Sequence, residues 1–280
     1  DVVIIGSGIV GLSAALHLAE QNPSLRVVII ERGPLPIGAS TRNAGFACFG
    51  SMTELLDDLQ RMGEDRVWSL VNKRWQGLQR LRRRAGDQHL DFQEVGGYEL
   101  FQADEEEQYQ ACMDHLVAFN RILADITGER EIFAPADERI AEFGFRRIRH
   151  LIRNGAEGQL HAGKMIARLL SLARERGIQI ITGMEVQRLR DTGDAVVLTT
   201  PQGWEIAAGQ VLIAEIGKVA CGTKVTKRLV PNMLHRGIGR VLGAGLGVVL
   251  IFPDGQVFAG ALGVDYRSQK QFVDHLAHID

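Results

Sequence analysis

The chain has 280 residues, of which 45% are hydrophobic, and its 32 basic and 34 acidic side chains leave a formal net charge of −2. This content supports a substantial core in one large or two interleaved domains. The balanced charge excludes the strongly basic surface that nucleic-acid-binding proteins present. No stretch approaches the ~20 consecutive apolar residues of a transmembrane helix, so we expect no integral membrane segment.

The cysteines are scattered, without the spacing of a metal site or a disulfide framework: Cys48, Cys112 and Cys221. We therefore expect no metal ion and a cytoplasmic location. The chain begins with Asp1 and not with Met. This start suggests that the natural N-terminus is absent, and it leaves open a signal peptide that has been removed.

The first 31 residues predict a dinucleotide-binding unit, because VVIIGSGIVGLSAALHLAEQNPSLRVVIIE combines a strand, a G-x-G-x-x-G turn, a helix and a second strand. Gly6 permits the tight turn, Gly8 lets a pyrophosphate approach the backbone, and Gly11 lets the helix pack closely on the sheet. The helix N-terminus would face the phosphates with its free N–H groups and its positive dipole end. A glycine-rich turn that binds nothing is the weaker alternative.

Glu31 ends the second predicted strand, 20 residues after Gly11. A carboxylate at this place can accept hydrogen bonds from a ribose 2′-hydroxyl, and it disfavours a 2′-phosphate. NADP is therefore not expected. The next segment, GASTRNAGFACFGS over residues 38–51, is a long loop of small and polar residues. In an NAD-binding unit a second helix usually follows the strand, whereas a loop rich in backbone donors suits a flavin.

The segments GSGIVGLSAALHLA, Glu31-Arg32-Gly33 and GASTRNAGFA together resemble the D-amino-acid-oxidase-type family of FAD-dependent oxidoreductases, the group that contains glycine oxidase and sarcosine oxidase. The resemblance covers about residues 1–214. It implies an α/β fold in which a doubly wound, Rossmann-like FAD-binding domain of the GR2 type is interleaved with an α+β substrate domain built on an antiparallel sheet. It also implies that FAD is the cofactor and that the C–N bond of a small amine or amino acid is oxidised by hydride transfer to flavin N5.

The resemblance also implies a set of flavin contacts. Arg42 and Asn43 are expected to be polar neighbours of the flavin, but neither the residues nor the resemblance assigns a general base. Protein partners are not predicted. The family's cofactor contacts fall here on Gly6, Gly8, Gly11, Glu31, Arg32, Ser40, Thr41, Ala44, Gly45 and Phe46, and on Val186, whose backbone would meet the adenine.

Residues 51–87 have apolar side chains at helical intervals and predict two amphipathic helices, which we assign with residues 1–90 to the first part of the FAD-binding domain. Residues 91–154 form the predicted substrate-domain segment, with a strand around Gly96-Gly97 and an acid-rich helix from Asp104 to about Ile126. The basic run GFRRIRHLIRN could supply an arginine for a substrate carboxylate. A strand with one solvated face is the favoured interpretation.

Residues 155–214 predict the second part of the FAD-binding domain, with a helix capped by Gly177, a strand that ends near Val186, a hairpin and a buried strand from Gln210. Residues 215–280 form an unassigned tail with strand-like runs around Pro253-Asp254-Gly255 and a closing amphipathic helix. This tail departs from the family pattern, and the chain is shorter than the family's usual span. A flavin-binding remnant or truncated product without turnover therefore remains an alternative, followed by an NAD-linked dehydrogenase.

Overall fold

A computed structural model describes residues 1–214, 220–221, 248–251 and 257–260. The chain forms two compact units. The first unit comprises residues 1–44 and the described residues from Ala162 onward, and the second comprises residues 45–161. Thus the chain leaves the first unit in the loop after the second strand and returns to it at a helix.

The first unit begins with the alternation of strand and helix that the sequence predicts. Its first elements are β1 (Val2–Ile5), α1 (Ile9–Gln21) and β2 (Val27–Glu31). The later ones are α7 (Ala162–Glu175), β8 (Gln179–Thr182), β9 (Arg188–Asp191), β10 (Val196–Thr199), β11 (Glu205–Ala208), β12 (Gln210–Ile213), β13 (Ala220–Cys221), β14 (Val248–Ile251) and β15 (Val257–Gly260).

Four of these strands form a parallel sheet in the order β12-β1-β2-β8. The residues of β1 are all buried, as expected for a central parallel strand covered on both faces. In register, Ile5 of β1 lies between Ile30 of β2 and Ile213 of β12. The carboxyl ends of these strands therefore meet at one edge, where ligands bind in open α/β sheets.

A second sheet in the first unit has the order β11-β10-β9-β13, with antiparallel pairing of β9, β10 and β11. The predicted hairpin and the strand from Gln210 are both confirmed. The predicted strand that ends near Val186 stops earlier, at Thr182, and Val186 lies in the following loop with 5% exposure. In the tail, β14 and β15 pair antiparallel on either side of the predicted turn. The turn itself and the closing helix lie outside the described residues.

The second unit combines a small antiparallel sheet with helices. The sheet has the order β4-β6-β5, and a separate pair of short strands joins β3 to β7. The elements are β3 (Phe46–Ala47), α2 (Met52–Met62), α3 (Glu64–Ala85), α4 (Asp87–Leu90), β4 (Gly97–Gln102), α5 (Glu106–Thr127), β5 (Phe133–Pro135), α6 (Arg139–Phe143), β6 (Ile148–Asn154) and β7 (Gly158–Gln159).

Helices α2, α3 and α5 pack with one face of the β4-β6-β5 sheet in a single apolar cluster that includes Phe101, Phe119 and Phe133. The two predicted amphipathic helices are α2 and α3, and the acid-rich helix is α5. The predicted domain segments have boundaries after residues 90 and 154. The two compact units of the structure have theirs after residues 44 and 161. Helices α2 and α3 thus lie in the same unit as the antiparallel sheet, and the functional assignment of the segments stays a prediction.

Among the described residues, no helix is both long enough and apolar enough to span a membrane. The described part of the chain also does not bring three His, Cys, Asp or Glu side chains together in a way that could hold a metal ion.

Candidate functional site

The turn between β1 and α1 forms the floor of the candidate site. Gly6 has a φ of 101°, a conformation that residues with a side chain rarely adopt. A Cβ atom on Gly11 would lie 1.9 Å from the carbonyl oxygen of Gly6. The close approach of α1 to the turn therefore requires glycine at position 11, as the sequence predicts.

Ser40 connects the loop after β2 to the start of α1. Gly8, the N-cap residue before α1, has no side chain that could cap the helix. Instead, Oγ of the buried Ser40 accepts a hydrogen bond of 3.0 Å from the N–H of Ile9. A Cβ on Gly8 would lie 2.9 Å from this oxygen. The absence of a side chain at Gly8 thus lets the loop approach the helix N-terminus.

Glu31 is held at the end of β2 by three hydrogen-bond donors. Its Oε2 accepts from the N–H and the hydroxyl of Ser7, at 2.9 and 2.8 Å. Its Oε1 accepts from the N–H of Gly33 at 2.9 Å. A carboxylate has about four acceptor positions, so one position on Oε1 remains for a further donor such as a ribose hydroxyl.

A cavity of ≈380 Å³ opens at this edge of the parallel sheet. It combines the amino end of α1, the Glu31 carboxylate and two cationic side chains. Six predicted residues line it: Gly6, Gly8, Glu31, Arg32, Ser40 and Arg42. Seven further residues, which the sequence analysis did not select, complete the lining: Val10, Gly33, Pro36, Ile37, Gly38, Ala39 and Ala214.

The other predicted residues of the first unit do not line the cavity. Thr41 donates its hydroxyl to the carbonyl oxygens of Pro36 and Gly38, and Asn43 donates its amide to the carbonyl of Ala39. These side chains stabilise the fold of the loop in the structure. Ala44 is exposed at the end of the unit, and Val186 is buried among strands of the first unit.

Gly45 and Phe46 belong to the second unit. The carbonyl of Gly45 accepts a hydrogen bond of 2.8 Å from Leu160, and a Cβ on Gly45, which has a φ of 77°, would lie 2.0 Å from the oxygen of Leu160. Phe46 is 79% exposed. The structure thus explains a glycine at position 45 by contacts within the unit.

The residues of the cavity fit the dinucleotide part of FAD. The helix N-terminus and the side chains of Arg32 and Arg42 provide a positive environment for a pyrophosphate. Glu31 provides an acceptor for a ribose hydroxyl. Ser7 is the supporting residue that sequence reasoning missed, and its position between Gly6 and Gly8 was the available signal.

Comparisons with known proteins agree with this geometry. The family model described as "FAD dependent oxidoreductase" matches residues 1–263, which extends beyond the predicted limit of the resemblance at Ala214. The chain is 27% identical over 223 residues to a probable oxidoreductase OrdL of Rhizobium meliloti, covering 76% of this chain and 48% of that protein. It is 25% identical over 240 residues to the gamma-glutamylputrescine oxidoreductase of Escherichia coli, covering 85% and 53%.

Among solved structures, the glycine oxidase of Geobacillus kaustophilus is similar with a TM-score of 0.56 and 25% identity, covering 77% of this chain and 55% of that one. The chain spans about half the length of these relatives. The similarity in structure confirms the predicted fold class, and the family model confirms the predicted cofactor, FAD. The chain belongs to the DAO family of FAD-dependent oxidoreductases.

Proposed function

We propose that the protein oxidises the C–N bond of a small amine or amino acid, with FAD bound at the cavity between the end of β1 and the loop after β2. The observation that supports this proposal most strongly is the geometry of the cavity, in which hydrogen bonds from Ser7 and Gly33 fix Glu31 beside the amino end of α1. The names of the relatives, an oxidase of glycine and an oxidoreductase of gamma-glutamylputrescine, support the amine or amino-acid class.

Each residue of the cavity has a proposed role in holding the cofactor. Glu31 would accept from the adenosine ribose through the acceptor position left on Oε1. Arg32 and Arg42 would balance the charge of the pyrophosphate. Ser40 would keep the loop against α1, since its Oγ accepts from Ile9. The predicted contacts at Gly11, Thr41, Ala44, Gly45, Phe46 and Val186, and the flavin neighbour Asn43, are part of the same proposal.

The bound flavin would supply the electron acceptor, which takes a hydride from the carbon next to the substrate nitrogen. The protein would contribute orientation of this C–H bond and a site that excludes water, in which the neutral form of the amine is favoured. A cytoplasmic location, expected from the scattered cysteines, belongs to this proposal as well.

The test is a visible spectrum of the purified chain reconstituted with FAD, recorded before and after anaerobic addition of amines and amino acids. A flavin spectrum that is bleached by one of these compounds supports the proposal. No flavin uptake contradicts it. Glu31→Gln is the variant that tests the cofactor cavity. Glu107→Gln, on the exposed surface of α5, is a control with the same change of charge.

A flavin-binding protein without turnover is the second candidate, because the cavity accounts for a bound cofactor, whereas neither the residues nor the resemblance assigns a general base. This candidate predicts a flavin spectrum that no amine bleaches. An NAD-linked dehydrogenase is the third, and it predicts turnover that depends on a nicotinamide and not on FAD.

A further inference from the structure

One face of the β4-β6-β5 sheet carries a small cavity within the second unit. Antiparallel register places Gly97 opposite Asn154, Asn154 opposite Phe133, and Glu99 opposite Ile152. Side chains of directly paired residues project to the same face of a sheet, as do residues two apart on one strand. These five residues therefore share one face.

Glu157 reaches the same face because Gly97 has no side chain. A Cβ atom on Gly97 would lie 2.0 Å from Oε2 of Glu157. The carboxyl group thus occupies the space that a side chain at position 97 would fill. Since Gly97 pairs directly with Asn154, this places the Glu157 carboxyl next to the Asn154 side chain.

The cavity has a volume of ≈180 Å³. One water molecule takes up about 30 Å³ in the liquid, so the space admits a molecule of a few heavy atoms. Two acids, an amide and two apolar side chains form most of its wall: Glu99, Glu157, Asn154, Phe133 and Ile152.

Asn154 presents a buried hydrogen-bond donor to this cavity. The residue is 4% exposed, and its Oδ1 accepts from the N–H of Ala156 at 3.1 Å. Within the described part of the chain, its Nδ2 has no hydrogen-bond partner. Buried polar groups are almost always paired, so an unpaired donor in a cavity wall points to an acceptor on a bound molecule.

The two acids of the wall differ in their partners. Glu99 accepts from the N–H groups of Met52 and Thr53 at the start of α2, and from the Thr53 hydroxyl. These donors occupy its oxygens. Glu157 receives hydrogen bonds from the backbone of Phe49 and Gly50, which leaves acceptor capacity on its carboxyl group.

The charges around Glu157 are mainly negative. Burial, reinforced by Glu54 on α2 and Glu99 on β4, raises the pKa of Glu157 to about 8, while the hydrogen bonds from Phe49 and Gly50 oppose the increase. Cys48, before α2, is a neutral thiol whose pKa burial raises to about 12, and Arg74 on α3 lies near it and opposes that shift. A small cation would therefore meet a cavity of suitable charge.

We propose that this cavity binds a small molecule with a protonated amine and with an oxygen on the carbon next to the amine-bearing carbon. The ammonium lies against Glu157, and the oxygen accepts a hydrogen bond from Nδ2 of Asn154. α-Amino acids and 2-amino alcohols share this chemistry. On binding, Glu157 ionises and its proton passes to the buffer, and no bond to carbon changes. The inference goes beyond the proposed function, because it concerns the protonated form of such compounds at a cavity within the second unit, whereas the proposed oxidation uses the neutral amine.

The test is calorimetric titration of the full chain, with and without FAD, near neutral pH in two buffers of different ionisation enthalpy. Glycine and ethanolamine are the probes, and they distinguish an amino-acid site from an amino-alcohol site. Methylammonium, which lacks the oxygen, is expected to bind about tenfold more weakly than the better probe, and acetate, which lacks the amine, is not expected to bind. The two buffers report the proton that leaves Glu157.

Two variants separate the contributions. Glu157→Gln keeps the size and the hydrogen bonding of the neutral acid, so the variant should fold. Its affinity for the better probe should be lower by about tenfold or more, and binding should release no proton. Asn154→Asp keeps an oxygen for the N–H of Ala156 but loses the donor, so the ratio of affinities between the better probe and methylammonium should fall towards one. Glu107→Gln should change neither quantity.

Absence of binding by both probes, or equal binding by the parent chain and Glu157→Gln, overturns the inference. The flavin spectrum of the same samples keeps this outcome separate from the proposed function. Suppose that the chain takes up FAD and an amine bleaches the flavin, but the parent chain and Glu157→Gln bind the probes equally. This result contradicts only the inference. A chain that does not take up FAD contradicts the proposed function, and the titrations without FAD still decide the inference.

Discussion

Glu31 and Ser7 are joined by two hydrogen bonds, in which Oε2 of Glu31 accepts from the N–H and from the hydroxyl of the same residue. This pair ties the end of β2 to the turn after β1. The acid therefore has a structural role in addition to its proposed contact with a ribose, because it fixes the shape of the glycine-rich turn on which a pyrophosphate would lie.

Glu31→Gln is expected to weaken FAD binding about tenfold or more, because hydrogen bonds to a charged group contribute roughly 1.5–3 kcal/mol each. Glutamine offers one acceptor oxygen where the carboxylate satisfies three donors. The measurement is a titration of the chain with FAD followed by flavin fluorescence. The Glu107→Gln control should bind as the parent chain does, and equal affinities of all three proteins would contradict the role of Glu31.

Gly11→Ala is expected to lower the free energy of unfolding by about 1–3 kcal/mol, the usual cost of adding atoms to a packed site. The added Cβ would lie 1.9 Å from the backbone oxygen of Gly6, which cannot move as a flexible side chain does. Gly38→Ala is the matched control, because no atom lies within 4 Å of its Cβ. Denaturant unfolding of both variants checks the prediction, and an equally stable Gly11→Ala would show that the turn is not closely packed.

Local patterns predicted the elements whose signals are contiguous in sequence. The strand, turn and helix around Gly6 and Gly11, and the amphipathic helices α2 and α3, follow from periodicity and glycine spacing. The hydroxyl of Thr41 was expected at the cofactor but donates within its own loop, because loop geometry decides which backbone oxygen is nearest. The burial of Glu157 depends on the register between β4 and β6, which no local pattern encodes.

Ser51→Ala is expected to cost about 0.5–2 kcal/mol of stability through loss of a helix cap. Ser51 Oγ accepts from the N–H of Glu54, and the Glu54 side chain accepts from the N–H of Ser51, so the two residues form a capping box at the start of α2. Ser51→Thr preserves the hydroxyl and should retain most of the stability. Chemical denaturation of both variants compares them, and equal losses would indicate that the hydroxyl is not the stabilising group.

His150 is expected to make the stability of the protein depend on pH. Its Nδ1 lies 2.7 Å from Asp137 Oδ2 and its Nε2 lies 3.2 Å from Glu106 Oε2, while its ring stacks on Tyr109. The hydrogen bond to Asp137 contributes most to a raised pKa of His150. A raised pKa means that the stabilisation is fully present below the unfolded value of 6.5 and is lost as the pH rises through the folded value.

His150→Gln removes this titration while it keeps a side chain that can donate to Asp137. The difference in unfolding free energy between the parent chain and the variant should therefore shrink as the pH rises above 6.5. The comparison with the variant is needed because Glu157 also makes stability fall as the pH rises. Its pKa is raised from 4.5 to about 8, so both proteins become less stable between these two values. A difference that stays constant with pH would exclude His150 as the source.

Cys48 is expected to resist alkylation in the folded protein. The thiolate is the reactive form of cysteine, and burial, reinforced by Glu157 and Glu54, raises the pKa of Cys48 to about 12. Burial likewise raises the pKa of Cys112 to about 12, so this thiol provides an internal comparison. Iodoacetamide followed by peptide mass analysis should leave both peptides unmodified before denaturation and modify both afterwards. Rapid modification of Cys48 in the native protein would contradict the prediction, because it would show that the thiol is accessible and ionisable.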